Sequence, residues 1–315
     1  MTSALTTLQQ WLLFAGTVLI VGCVAWRLLI APRLVPFGSN GPQVRSIEHR
    51  VARTGLIATL VLVVAWALRM VVLVMGFRDP FVPLWEDVSF LLFQVTWGSV
   101  WMVQGVVIAL LFGTLMMAAR QGGAHAAREA DGAPLTGGPV WLVSGLLTLG
   151  LVATLALSSH AMGVESWKGL AVAADGLHTL AAGGWIGSLF VILAVGRAPS
   201  QDAGAPTLFA AQIQSFSPVA LVSGITLVGM GVALSWTHLH AISDLWTSPY
   251  GRILSGKVGL VSVILGLGAW NWRKGIPVAD TQDGAAEVRR RATGEVVLAV
   301  AVLLLTAILV HSPKP

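Results

Sequence analysis

Eight long apolar segments alternate with short polar connections along the chain. They lie near 8–31, 52–75, 88–118, 139–158, 170–195, 215–237, 252–271 and 293–311. A helix needs roughly 20 apolar residues to cross a bilayer, so each segment is long enough to span. The third is longer than needed, and we expect it to begin with an interfacial turn. The pattern therefore predicts an all-α polytopic membrane protein with about eight transmembrane helices.

The connections between these segments are too short to hold a soluble domain, so we interpret 1–315 as a single membrane domain. A stretch rich in Gly, Ala and charged residues, about 119–139, is expected to be a flexible linker. It separates a first portion of three spans, 1–118, from a five-span portion, 139–315. Two further polar stretches, about 198–207 and 275–289, are also predicted to be loops.

Composition and charge placement support this interpretation and add an orientation. The chain is 56% hydrophobic and 10% charged, whereas soluble domains carry about 25% charged residues. Thirteen Lys and Arg residues lie at the odd-numbered loops and five at the even-numbered loops and chain ends. The positive-inside rule then places the odd-numbered loops in the cytoplasm and both termini on the outer side of the membrane. The basic residues are thus topology signals and lipid contacts, and no nucleic-acid partner is predicted.

Five of the seven histidines fall at the outer side in this orientation, together with a nearby methionine. These candidate metal ligands are His160, Met162, His178, His238, His240 and His311. Imidazole and thioether side chains suit copper, as Cu(I) or Cu(II). The lone cysteine, Cys23, excludes a cysteine-based metal site or a disulfide within one chain. The clustering predicts a copper site on the outer face.

The fifth span carries the best-supported part of this site. Asp175, His178 and Trp185 are spaced so that they share one helical face. The Asp175 carboxylate lies one turn from the His178 imidazole, where it could orient the ring. A hydrogen-bonded pair that joins two helices, without any ligand, is the alternative.

The other predicted ligands depend on how the outer ends of the spans meet. His160 and Met162 form an H-x-M in a loop, and His311 ends the eighth span. His238 and His240 form an H-x-H that can bind one ion jointly only if the sixth span ends near Thr237. The alternative for each is an ordinary polar residue at the membrane interface.

Several charges near or inside the spans need partners. Glu86 and Asp87, in the second loop, are expected to attract cations. Lys257 is expected to snorkel outward, or else to pair with Asp175 or to gate the passage of cations. Arg69 is expected to pair with Asp175 or Glu86. Glu295 is expected to pair with the cluster Arg289–Arg291.

Tryptophans are assigned to two environments. Trp11, Trp85, Trp141, Trp167 and Trp246 suit an interfacial aromatic belt. Trp97, Trp101, Trp185 and Trp236 are expected to lie deeper and to pack inside the bundle.

The chain contains no nucleotide-binding, nucleophile-elbow or H-E-x-x-H pattern. Nothing in it therefore indicates ATP coupling or hydrolysis. We expect a transporter or metal-binding membrane protein and no enzyme.

Three stretches resemble the CopD/PcoD family of copper-resistance membrane proteins. They are D-G-L-H-T-L-A-A-G-G-W-I-G-S-L at 175–189, F-S-P-V-A-L-V-S-G-I-T-L at 216–227, and S-P-Y-G-R-I-L-S-G-K-V-G-L at 248–260. The closing N-W-R-K-G at 271–275 is similar to the end of the same domain, so the resemblance covers about 170–275.

The resemblance implies a bacterial inner-membrane protein that handles copper. His178 matches the family's signature histidine, with Asp175 and Trp185 as companions. A separate periplasmic copper-binding protein of the CopC type is the implied partner. Three alternatives stay open: a redox protein with haem b between His178 and a histidine such as His238, a copper chaperone for oxidase assembly that does not transport, and a sensor or scaffold without a ligand.

Overall fold

The computed structural model describes residues 2–34, 42–126, 138–159, 167–195, 205–236, 239 and 241–313. Within these ranges the chain is helical and contains no β-strand. Eight helices are long and apolar enough to cross a membrane. The predicted all-α polytopic architecture is therefore confirmed.

Eleven α-helices are described in these ranges. They are α1 Thr2–Ala25, α2 Pro42–Phe77, α3 Leu84–Phe93, α4 Thr96–Ala126, α5 Gly138–Leu157, α6 Lys168–Ala182, α7 Ser188–Val195, α8 Ala205–Trp236, α9 Asp244–Thr247, α10 Pro249–Trp270 and α11 Gln282–Val310. π-helical turns at Trp26–Ile30, Gly183–Gly187 and Asn271–Gly275 continue α1, join α6 to α7, and continue α10. The fifth span is thus α6, a π-helical turn and α7.

The observed helices differ from the predicted segments mainly at their ends. The expected interfacial turn before the third span is the separate helix α3, so the span itself begins at Thr96. Helix α4 continues to Ala126, inside the predicted linker. Helix α11 begins at Gln282, inside a predicted loop. Polar residues extend these helices into water because a helix satisfies its own backbone hydrogen bonds there as well as in lipid.

The first and fifth spans form the centre of the bundle. Helix α1 packs against α2, α5, α11 and the π-helical turn of the fifth span. The first and fifth spans approach closely at Gly22 and Gly187, where an added Cβ on either residue would overlap the other helix's backbone. A Cβ on Gly183 would likewise overlap Val21. Small residues let the two helix backbones approach this closely.

Consecutive spans pack against each other from the first to the sixth, and the seventh packs against the eighth. Short connections join antiparallel helices, so successive spans run in opposite directions. We call the end of the bundle where α6 and α10 begin and α8 and α11 end the upper end. It corresponds to the predicted outer side, and the opposite end is the lower end. Lys168, Trp236, Pro249 and Val310 mark the upper end.

Buried polar contacts tie four spans together at the lower end. Glu48 accepts hydrogen bonds from Arg27 at 2.8 Å and from the Trp141 indole at 2.7 Å. The Trp26 indole donates to Gln212 at 3.1 Å. Trp141 is completely buried, so its assignment to the interfacial belt was wrong: the Glu48 carboxylate inside the bundle satisfies its N–H.

The remaining tryptophan assignments have mixed outcomes. Trp85, Trp167 and Trp246 are exposed near the upper end, as expected for a belt. The deep placement of Trp236 was wrong, because it is 79% exposed at the last residue of α8. Its position at a helix end leaves no neighbouring span to cover the ring.

Candidate metal site and polar interior of the bundle

The fifth span separates two faces with different chemistry. Leu177, Ala181 and Gly184 line an apolar groove of about 660 Å³, whose walls also include α1, α5 and α8. His178 and Trp185 lie on the other side of the span, towards α8 and α10. The predicted helical face is therefore a face inside the protein, separate from the apolar groove.

His178 is held by helix α8. It lies ten residues from the start of α6, about 15 Å along the helix. Its Nδ1 is 3.2 Å from the carbonyl oxygen of Leu227. Gly231, one turn further along α8, leaves room for the ring, since a methyl group there would lie 3.4 Å from its Cε1 atom. The glycine and the carbonyl together determine where the imidazole sits.

This hydrogen bond determines the tautomer of His178. A carbonyl oxygen can only accept, so Nδ1 must carry the proton. In the neutral ring Nε2 is then unprotonated and presents a lone pair. In the described part of the chain, Nε2 has no hydrogen-bond partner. The ring is thus arranged as a metal-binding histidine usually is, with its second nitrogen bonded to a carbonyl.

Two charged side chains accompany His178 near the upper end. Lys257 of α10 is half-buried and interacts electrostatically with both Asp175 and His178. The charge of Lys257, from the seventh span, therefore acts on two side chains of the fifth span. The Asp175 carboxylate offsets the lysine charge, which would otherwise repel a metal ion from the ring.

The other predicted ligands are only partly described. His311 is exposed and directly follows α11. His160, Met162, His238 and His240 lie outside the described residues. Leu239 packs with Tyr250, Leu254 and Leu309, so the chain after α8 meets the upper end of α11. Among the described residues, no three His, Cys, Asp or Glu side chains form a metal-binding group.

The acidic pair of the second loop lies at the start of α3. Asp87 forms an ion pair with Arg78, whose guanidinium also donates to the carbonyl oxygens of Asp79 and Val82. Glu86 is exposed. Of the two carboxylates, Glu86 is thus the one directed to solvent, where it could attract cations as predicted.

Arg69 does not have the carboxylate partner expected for it. Its guanidinium lies 3.5 Å from the side-chain oxygen of Gln104 and 5.4 Å from the centre of the Trp97 ring. Trp66 and Trp101 stack beside it at 3.9 Å between ring centres. The expected pairing with Asp175 or Glu86 was wrong, since an amide and an aromatic face between α2 and α4 receive the charge.

Glu295 adds a buried carboxyl group to the polar interior, and its partner differs from the one expected. Glu295 is 3% exposed and accepts a hydrogen bond from the Asn271 side chain at 2.7 Å. The expected pairing with Arg289–Arg291 was wrong, because Arg290 and Arg291 pair with Glu287 instead. Glu287 lies on the same helix face as these arginines, one turn away.

Trp185 lies between the His178 region and this carboxyl group. Its ring packs beside Gly224 of α8 and Gly268 of α10. A methyl group at Gly268 would lie 3.5 Å from the Trp185 ring and 3.6 Å from a carboxyl oxygen of Glu295. Polar and aromatic groups therefore follow one another through the bundle, from His178 to Trp185 to Glu295.

Two protein-family models match the chain. The one described as copper resistance protein D-like, N-terminal domain, matches residues 1–170. The one described as copper resistance protein D matches residues 210–309, which includes the stretches at 216–227, 248–260 and 271–275. The stretch at 175–189 lies between the two matches. No curated protein and no solved structure matches the chain. The chain therefore belongs to the copper resistance protein D family, as a multi-pass membrane protein with a role in copper resistance or homeostasis.

Proposed function

We propose that this protein captures copper ions at its upper end, facing the periplasm of a bacterial inner membrane, and moves them across to the lower end. The observation that supports this most is the state of His178. Its Nδ1 proton is held by the Leu227 carbonyl, which leaves Nε2 as a metal-binding lone pair inside the bundle. An ionisable residue at this depth is costly, and such residues commonly mark an ion pathway.

The charges around His178 suit a site that holds a cation and then releases it. A carboxylate such as Asp175 would favour a bound cation, and the Lys257 ammonium, whose charge acts on both His178 and Asp175, would oppose it. A site that binds an ion too tightly cannot pass it on, and conduction needs binding that is favourable but reversible. The lysine therefore limits the affinity of the site for copper.

Capture from outside is assigned to His160, Met162, His238, His240 and His311. These side chains combine imidazole with thioether, which suits copper in either oxidation state. A small periplasmic copper-binding protein of the CopC type is the proposed donor. Glu86, exposed on α3, would raise the local concentration of cations near this end.

The test compares two histidines that make similar hydrogen bonds. His178→Ala removes the proposed ligand, whereas His49→Ala removes a ring whose Nδ1 lies 2.8 Å from the Ala119 carbonyl oxygen near the lower end. We expect purified wild-type protein and the His49 variant to bind copper and the His178 variant to lose it, as measured by metal analysis. Equal copper content in both variants, when both insert, would refute the assignment of His178.

Transport is tested separately in proteoliposomes loaded with a copper-sensitive dye. We expect the wild-type protein and His49→Ala to admit copper, and His178→Ala to leave the dye unchanged. Copper binding without uptake would instead indicate a chaperone. A haem absorption band in the purified protein, lost in His178→Ala, would indicate the haem b alternative.

A further inference from the structure

Glu295 is a buried acidic side chain with no role in the copper site. It lies on α11, one turn beyond Arg291, where the apolar part of the eighth span begins. Its side chain faces α10, and it accepts a hydrogen bond from Asn271 at the lower end of that helix. Asn271 is itself 8% exposed. The pair is thus enclosed between two spans.

The basic residues around this pair either contact other groups or are exposed. On α11 itself, Arg290 and Arg291 form ion pairs with Glu287. The Arg289 guanidinium lies 4.7 Å from the centre of the Phe209 ring of α8. On the turn after α10, Arg273 and Lys274 are exposed. In the described ranges, Glu295 forms no ion pair.

An ionised carboxylate without a cation is costly in a membrane interior, and such a group is neutralised by a proton or by a bound ion. The neighbouring amide provides independent support for a proton. The Asn271 amide N–H donates to the carboxyl group, but its buried carbonyl oxygen has no partner among the described residues. A protonated carboxyl group has an O–H that can serve as the donor this acceptor lacks.

The position of the pair connects it to the copper site. The Trp185 ring and a Glu295 carboxyl oxygen both lie against Gly268. Trp185 follows His178 by two helical turns on the fifth span. A cation that leaves His178 towards the lower end would therefore meet this carboxyl group next.

We propose that Glu295 and Asn271 form a proton-binding site inside the membrane, whose proton is released when a cation arrives from His178. The O–H bond of the Glu295 carboxyl breaks, the proton leaves towards the lower end, and the carboxylate neutralises one positive charge of the ion. No electron is transferred. The exchange rests on the proposed copper movement, whereas protonation of Glu295 does not.

Infrared spectroscopy of the membrane-embedded protein at neutral pH tests the protonation. A protonated carboxyl group has a C=O stretching band that a carboxylate lacks. We expect Glu295→Gln to lose part of this absorbance and Glu287→Gln to retain it. Glu287 is the matched control because it lies on the same helix, pairs with arginines and is partly exposed. Identical carboxylic-acid absorbance in wild type and Glu295→Gln would overturn the proposal.

A second variant keeps the test decisive if Glu295→Gln does not fold. Asn271→Ala removes the hydrogen-bond donor and leaves the carboxyl group in place. We expect the carboxylic-acid band to shift to higher frequency, since hydrogen bonding lowers the C=O frequency. An unshifted band would show that Asn271 does not contact a protonated Glu295.

Addition of copper(I) to the same samples tests the exchange. We expect the band to decrease in wild type and to stay constant in His178→Ala. A band that persists in wild type while copper is bound would overturn the exchange and leave the protonation standing. Failure of wild type to bind copper would instead contradict the proposed function, and the comparison with Glu295→Gln would still decide the protonation.

Discussion

Substitutions of increasing size at Gly231 test whether the Leu227 carbonyl positions the His178 ring. Leu227, whose carbonyl oxygen accepts from Nδ1, and Gly231 lie one turn apart on α8 and face the same ring. A methyl group at Gly231 would lie 3.4 Å from the ring, which is ordinary contact. Gly231→Ala should therefore leave the copper affinity of the proposed site nearly unchanged.

Gly231→Val adds two more carbon atoms than Gly231→Ala, and there is no room for them beside the His178 ring. The ring must therefore move away from α8. The hydrogen bond to Leu227 is already 3.2 Å long, and a further displacement takes it past the range in which such bonds are effective. Loss of a hydrogen bond that orients a metal ligand typically lowers metal affinity about 10- to 100-fold. That factor corresponds to about 1.4 to 2.7 kcal/mol.

The assay is a competition titration of purified protein against a chromophoric copper chelator. Gly229→Val is the matched control, since a Cβ at Gly229 meets no described atom within 4 Å and both substitutions place valine in the same helix. We expect the Gly229 variant to bind copper like wild type. If the Gly231 and Gly229 valine variants bind copper equally well, the Leu227 carbonyl does not position His178.

Two further substitutions test the packing of the bundle. Trp141→Phe should lower the free energy of unfolding by about 1 to 3 kcal/mol, because it removes a buried hydrogen bond to the charged Glu48. A thermal melt in detergent measures this change. The control Trp246→Phe, at an exposed site, should melt like wild type. Gly22→Leu should destabilise by at least about 1 to 3 kcal/mol, since its side chain meets the backbone of the fifth span. The yield of monodisperse protein measures this, and a yield equal to that of Gly76→Leu, a site with open space, would contradict the close helix contact.

Hydropathy was sufficient to predict the spans, and helical periodicity predicted that His178 and Trp185 share a face, which is the one towards α8. Lipid offers no hydrogen-bond partners, so a spanning segment must be a continuous apolar helix, and such a helix is visible in the sequence. The spacing of Asp175, His178 and Trp185 likewise predicted a shared face because it depends only on helical geometry. Helix ends were less predictable, as at α4 and α11, because polar residues can continue a helix outside the bilayer.

Partners across helices could be found only in the tertiary structure. Glu295 was expected to pair with nearby arginines, whereas packing of α11 against α10 places Asn271 beside it, 24 residues away. The acceptor for His178 is the backbone carbonyl of Leu227, which no side-chain pattern indicates. Spans are predictable because each residue contributes its own transfer free energy to the bilayer, but contacts between spans depend on helix rotation and close approach. Helix rotation and close approach depend on small residues such as Gly22, Gly187 and Gly231, which act together across the bundle.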